Sequence, residues 1–431
     1  MKFNIVGVTG LLLVLLQSNV NAISFGVFDP RSLAMGGTGV ASGNAGNATY
    51  YNPALLAIYK VRKEKGKNSR FVFPTLTVRV PKVVIDYDKN TVQSLDQGLR
   101  DSISAFNNAG QVNAIEAQAV IDASSALQDN LTSFSDGPLD VEINAGIVIS
   151  IAHLLHGGAM YINTRAVAGS DISGTAADKK LLSDYTDAMR YVASNRTEGN
   201  AHPELYDANL NLIDQSDALS SSATGRGGIM NEIGISMSAQ FRLFNSTFAI
   251  GMTPKMNRVA TYDITAKAVD NSADAIRDKT SDWKTNLDLG LLKEFDKQLW
   301  SGNIRAGLIL KNIISREFQT SLGNSIKFEP QLRAGTSYHR RGTVYAVDID
   351  ILANNSIGSG NKSQMLAIGG EWKYAITKLR AGISYNIKAR GDYRTPLLAA
   401  GALIDFGPMI DFSYAISNVE QSAGIQIAFK F

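Results

Sequence analysis

The chain has 431 residues, 45% of them hydrophobic, with a mean hydropathy of -0.04, no cysteine and a formal net charge of +3. The missing cysteine excludes a disulfide framework, thiolate metal sites and thiol redox chemistry, and so slight a charge gives no basis for nucleic-acid binding. Near-zero hydropathy with no later run of about 20 apolar residues excludes a helical inner-membrane protein and suits a barrel in which alternate residues face lipid.

In chain order, Lys2 precedes an apolar run from Ile5 to Leu16, and the small-residue spacing Val20-x-Ala22 follows. This reads as a secretory signal over residues 1–22, cleaved after Ala22. The apolar run is too short to cross roughly 30 Å of hydrocarbon as a helix, and Ile rather than Cys at position 23 closes the lipoprotein route.

Residues 23–60 carry a glycine-rich segment, Phe28-Asp29-Pro30-Arg31-Ser32-Leu33-Ala34-Met35-Gly36-Gly37-Thr38-Gly39, then Tyr50-Tyr51-Asn52-Pro53-Ala54. Such glycines allow tight turns and close backbone approach, the needs of a compact plug inside a barrel. No Gly-Lys-Ser/Thr follows Gly43, which argues against a phosphate loop. The basic cluster from Lys60 to Lys67 reads as a solvated hinge, with contact to acidic headgroups as the alternative.

From residue 61 onward, period-2 alternation predicts fourteen strands, at approximately 69–80, 139–152, 158–169, 231–243, 247–262, 282–293, 302–315, 325–338, 343–352, 364–374, 377–388, 393–406, 409–417 and 421–431. In the second, Val141, Ile143, Ile147, Ile149 and Ile151 face one way and Glu142, Asn144, Gly146 and Ser150 the other. The fourth divides Ile233, Ile235, Met237, Phe241 and Leu243 from Glu232, Ser236, Ser238, Gln240 and Arg242. Links after even-numbered strands are short and every long insertion follows an odd-numbered one, the asymmetry of periplasmic turns and extracellular loops. A soluble β-sandwich predicts no such parity.

Two long insertions, at about 81–137 and 170–228, carry helical periodicity: Leu95, Leu99, Ile103 and Phe106 in the first, Leu182, Tyr185 and Met189 in the second. Their apolar faces either pack on one another as a lid or leave an apolar groove at the outer mouth. The last strand places Ile425, Ile427, Phe429 and Phe431 on one face, and its aromatic end resembles the C-terminal signal by which the barrel-assembly machinery inserts outer-membrane proteins.

Arg31, Gly36, Gly37, Gly39, Asn52, Pro53 and Ala54 together resemble the opening of the FadL outer-membrane transport superfamily. Within it the chain is similar to the branch labelled conjugal-transfer TraF-type proteins, a likeness that continues through Gly251-Met252-Thr253-Pro254-Lys255, Leu310-Lys311-Asn312, Pro330-Gln331-Leu332-Arg333 and Leu379-Arg380-Ala381-Gly382. The resemblance implies an all-β, fourteen-stranded outer-membrane barrel with an N-terminal hatch. It further implies passive uptake of a hydrophobic small molecule such as a long-chain fatty acid, leaving through hatch rearrangement or sideways into outer-membrane lipid. The F-plasmid protein of the same name is a periplasmic thioredoxin-like factor, whose fold and redox role a cysteine-free barrel cannot share.

Arg305, Lys311, Arg333, Asp348, Asp350 and Arg380 read as a polar network filling the lumen, or as a site for a ligand headgroup. The four histidines, His153, His156, His202 and His339, lack the partners of a nucleophile or metal site, so no catalytic residue, metal or cofactor is expected. The alternative function is a structural or assembly role in conjugal transfer.

Overall fold

The computed structural model describes residues 25–57, 69–82, 89–109, 114–135, 139–151, 156–173, 176–194, 202–220, 222–243, 246–267, 273–295, 300–321, 323, 325–355, 362–389 and 394–431. The proposed signal, the Lys60–Lys67 cluster and His153 lie outside them. Within them, a helical turn α1 (Pro30–Ala34), a second α2 (Ala48–Tyr51) and a 3-10 turn at Pro53–Ala57 precede the first strand.

Fourteen strands then follow: β1 Arg70–Pro81, β2 Leu139–Ile151, β3 His156–Ser173, β4 Ser222–Leu243, β5 Ser246–Lys267, β6 Lys284–Glu294, β7 Asn303–Lys311, β8 Gln331–Arg340, β9 Thr343–Asp350, β10 Met365–Tyr374, β11 Thr377–Asn386, β12 Leu397–Asp405, β13 Met409–Ile416 and β14 Glu420–Lys430. Each pairs antiparallel with its sequence neighbours, and β14 pairs with β1, so the sheet closes on itself. Closure satisfies every strand edge internally, the condition for crossing hydrocarbon with strands.

Alternation sets the two faces. On β2, Ile143, Ile149 and Ile151 are exposed outward while Glu142, Asn144 and Ser150 are buried inward; on β4, Ile233, Ile235 and Met237 are exposed against buried Ser236 and Ser238. Phe429 and Phe431 are exposed on the outer surface, Phe429 stacked on Phe71 of the closing partner strand with ring centroids 6.3 Å apart. Trp300, Trp372, Tyr374 and Phe406 are exposed at the end carrying the short turns, the place of an interfacial aromatic girdle.

The parity of the connections holds. Ala375–Ile376 and Arg341–Gly342 are two-residue turns, with Gly342 at φ 88°, and the long insertions lie at the other end. Several boundaries differ from the alternation reading. β3 and β4 run on to pair Ser173 with Ser222, so the second insertion is shorter than 170–228 and the ladder extends past the bilayer. An added strand, Ala273–Thr280, pairs only with β5, outside the ring. The expected strand 325–338 is two elements: Ser325–Phe328 folds back on Arg316–Gln319, and the barrel strand restarts after Pro330, which has no N–H to donate. Pro396 likewise delays β12 to Leu397.

The insertions supply three helices, α3 (Lys89–Ala109), α4 (Ala114–Ser135) and α5 (Ala176–Ala193). They share one apolar core with Leu205, Leu212 and Leu219 from the segment after α5, and among the described residues no barrel residue enters it. Ser124 of α4 and Thr186 of α5 join their hydroxyls at 2.9 Å, and Asn107 exchanges two hydrogen bonds with the backbone of Leu212. Burial pushes the Tyr185 phenol up to about 12, and its hydroxyl donates to the Ile213 carbonyl.

Candidate functional site

Residues 25–57 sit inside the barrel, and almost every one is buried. Asp29 caps α1 by accepting from the Ser32 amide at 3.2 Å, Pro30 supplies a first helical residue that needs no N–H, and Gly36 and Gly37 (φ 68° and 96°) turn the chain back. The backbone amides of Gly39 and Val40 then donate to one carboxylate oxygen of Asp348 at 2.7 and 2.9 Å. Asn52 donates to both the Val40 carbonyl and the Leu291 carbonyl of β6, and its own amide oxygen accepts from Ala54. Pro53 opens the 3-10 turn that ends the plug.

The wall meets this segment through glycine. On nine strands a lumen-facing glycine lies so close to the plug that a Cβ would fall within 3.0 Å of it: Gly146, Gly157, Gly251, Gly290, Gly307, Gly335, Gly369, Gly382 and Gly401. Gly382 faces Met35 and Gly36, Gly251 faces Pro53 and Ala54, and Gly157 faces Leu56. At Gly157, Gly251, Gly307, Gly369 and Gly382 the belt seats plug backbone directly against barrel backbone, and at the other four it admits the plug side chains of Ala34, Val40, Tyr50 and Asn52, distances that a Cβ would close.

The belt divides the lumen. On the long-loop side, a cavity of about 90 Å³ is lined by Phe25, Val27, Leu33, Arg79, Glu142, Arg333 and Met365, and another of about 40 Å³ by Phe25, Phe28, Asn163, Glu232, Lys255, Asn257 and Lys311. Phe25 borders both, with the Arg333 guanidinium 3.8 Å from its ring centroid and Lys311 at 4.8 Å. On the short-turn side, a polar cavity of about 560 Å³ lies beneath α1.

Charge is paired unevenly. Lys255 bridges Glu232 and Asp288 at 3.0 Å each, Glu142 holds Arg79 and Arg165, and Glu371 holds Arg31 at 3.0 Å and Arg380 at 2.7 Å. Lys311 is buried yet has no carboxylate within ion-pair range among the described residues; its Nζ donates to the Tyr50 carbonyl at 3.2 Å and lies over the Phe25 and Phe28 rings. Beside it the amide of Asn257 and the Oδ1 of Asn163 lack partners among the described residues. A cavity of about 40 Å³ exceeds the 10–15 Å³ that one water requires, so this corner has room for a small polar occupant.

All six lumen residues expected from sequence face the interior, but as separate pairs rather than one network. Arg305 pairs with Glu294, Arg333 with Asp350, and Arg380 with Glu371 and Asp411, while Asp348 binds plug amides and Lys311 binds a plug carbonyl. Sequence reasoning missed Asp288, Glu294, Glu371 and Asp411. A signal was present, since Asp288 and Glu371 share strand parity with the belt glycines Gly290 and Gly369.

Of the two readings of the helical insertions, a packed lid or an apolar groove, the structure has the lid. Leu99, Ile103, Phe106, Leu182, Tyr185 and Met189 are each at most 2% exposed inside the lid core, with Leu95 packed against it, because three apolar helix faces bury one another. Among the described residues they line no open groove. Also on the lid, Asp184, His202 and Glu204 bring ligand-type atoms within 4.8 Å, with Lys180 already paired to Asp184. His156 is exposed at the start of β3, and His339 bonds Ser337 at 2.9 Å.

Comparison with known proteins gives one family and one fold. Residues 49–350 match the family described as "F plasmid transfer operon, TraF, protein". No curated protein matches the sequence. Among solved structures, the toluene transporter TbuX of Ralstonia pickettii is similar at TM-score 0.50 and 12% identity, covering 94% of this chain and 98% of that one. The toluene transporter TodX of Pseudomonas putida is similar at TM-score 0.40 and 12% identity, covering 96% and 98%. The likeness to the first is one of fold, a closed antiparallel β-barrel.

Proposed function

This chain belongs to the family described as "F plasmid transfer operon, TraF, protein", and from its lumen geometry we propose that it is an outer-membrane channel for passive entry of hydrophobic small molecules, amphipathic carboxylates such as long-chain fatty acids among them. The similar structure named a toluene transporter supports the hydrophobic class. The observation that carries the carboxylate is Lys311, a buried cation with no acidic partner among the described residues, set over two phenylalanine rings beside an unpartnered Asn257 amide. In this reading the ligand crosses the lid, lodges its charged end at Lys311 and its apolar body along Phe25 and Met365, and moves on when Phe25 swings aside. No bond is made or broken and no energy is coupled, so the protein is no enzyme. Phe429 and Phe431 would serve recognition by the assembly machinery.

The test is uptake by cells lacking their own hydrophobic transporter. Expression should give saturable entry of a labelled long-chain fatty acid, and Lys311→Met, which keeps apolar bulk over the rings, should cut that entry about tenfold or more while sparing a neutral aromatic hydrocarbon. Equal loss of both probes would remove the headgroup role from Lys311. Uptake no better than empty vector, with a heat-modifiable barrel confirmed, would sink the channel reading. It would favour the second reading that the family description supports, a structural role in conjugal transfer, which mating frequency with and without the gene would then measure.

A further inference from the structure

The chamber of about 560 Å³ on the short-turn side is more than leftover space beneath the plug. Its roof is α1, and there Arg31, 4% exposed, spends its Nε on Glu371 while its Nη1 has no partner among the described residues. Ser42, 1% exposed and on the same chamber wall, likewise has an Oγ without a partner among them. Burying such donors without an acceptor costs free energy, more so when the donor is charged. The acids within reach are already engaged: Glu371 takes Arg31, Arg380 and, at 3.5 Å, Lys378, Asp411 takes Arg380, and Asp29 accepts from the Ser32 amide and Asn47. Seven lysines and arginines line the chamber against five aspartates and glutamates, and the buried donors without a partner among the described residues are one guanidinium N–H and one hydroxyl.

From this we infer that the chamber is a second binding site, for a small carboxylate, on the exit side of the plug, with Arg31 and Ser42 as its donors. The ligand leaves Lys311 on one side of the glycine belt and is received by Arg31 on the other, so exit runs along the barrel axis toward the short turns. A planar two-oxygen anion suits one guanidinium N–H plus one hydroxyl, and the paired state of Glu371 leaves little charge to hold a dianion. The inference rests on the transport reading for the ligand's identity, but its binding step is measured without transport.

Because the chain has no cysteine, a single Thr343→Cys on the chamber wall can carry an environment-sensitive fluorophore. The labelled full chain, in an uncharged maltoside detergent, is titrated with sodium hexanoate and separately with sodium phosphate. Hexanoate should give a saturable change that Arg31→Gln weakens about ten- to a hundredfold and Ser42→Ala about three- to tenfold, with Lys311→Met without effect. Ser42→Ala should leave the melting temperature unchanged or raised, since it deletes an unpaired buried hydroxyl, whereas a merely structural serine would move stability and not affinity. No saturable response, or a response indifferent to both variants, overturns the site. Tighter binding of phosphate than hexanoate overturns its assignment to carboxylates. Loss of uptake with this titration intact would instead fault the transport reading.

Discussion

The plug and the lid both close the same barrel, but they are held differently. The lid is a small globular unit: seventeen buried residues from three helices and their trailing segment form its core, and Leu182 and Tyr185 are wholly buried there. A fully buried leucine contributes about 1.5–3 kcal/mol relative to exposure to water, so the lid coheres by itself and hangs from four strand ends. The plug buries its large side chains, Phe25, Phe28, Tyr50, Tyr51, Leu55 and Leu56 among them, in clusters shared with the barrel wall, and it is seated on that wall at the glycine belt and pinned by Asp348, Asn52 and the Arg31–Glu371 pair. A lid so built can tilt as a body, whereas a plug so built can yield only where the belt is absent. Phe25 to Phe28 is such a place, held by side-chain bonds from Thr75, Thr77 and Asn144.

Four substitutions test that contrast. The largest effect is expected from Glu371→Gln, which strips the shared carboxylate from Arg31 and Arg380 and should cost about 3–5 kcal/mol. It should lower the unfolding temperature of the barrel and expose the plug to protease together, and an unchanged melt would refute the idea that this pair anchors α1. Leu182→Ala should cost about 2–5 kcal/mol, yet only within the lid: protease should cut between 81 and 221 while the heat-modifiable barrel survives. If the whole barrel melts in step, lid and barrel are one cooperative unit and the comparison fails. Smallest is a pair of glycine changes. Gly382→Ala sets a Cβ against the plug backbone and should destabilise by about 1–3 kcal/mol, whereas Gly98→Ala, on α3 with no atom within 4 Å, should stabilise the lid by about 0.5–1 kcal/mol. The opposite signs should show in hydrogen exchange of the plug and of α3, and equal effects would mean that the belt is no closer than ordinary packing.

Much of this was legible beforehand, for particular reasons. The side chains of Ile143, Ile149 and Ile151 had to share a face because strand periodicity is two, and lipid outside with water inside leaves only one way to turn that face. Asn52-Pro53 and the glycines from Gly36 to Gly39 announced a turning, closely seated segment. Leu99, Phe106 and Leu182 were recognised as helical and apolar, but period alone does not say whether an apolar face meets another helix or a ligand. Breaks at Asn312 (φ 54°) and Pro330 were hidden inside runs that alternate well enough to look continuous.

The sequence by itself determined the closed barrel, its strand number, the side of its long loops and the presence of a plug, because each follows from local periodicity and from the demand that no backbone group meet lipid unpaired. Only the tertiary structure decided which charges meet. Arg31 finds Glu371 across 340 residues, Lys311 finds no carboxylate among the described residues, and nine glycines on nine strands reach one level only when register and tilt are set around the whole ring. Register is a property of pairs of strands, and a lumen contact depends on all fourteen at once, so no single segment of the chain contains it.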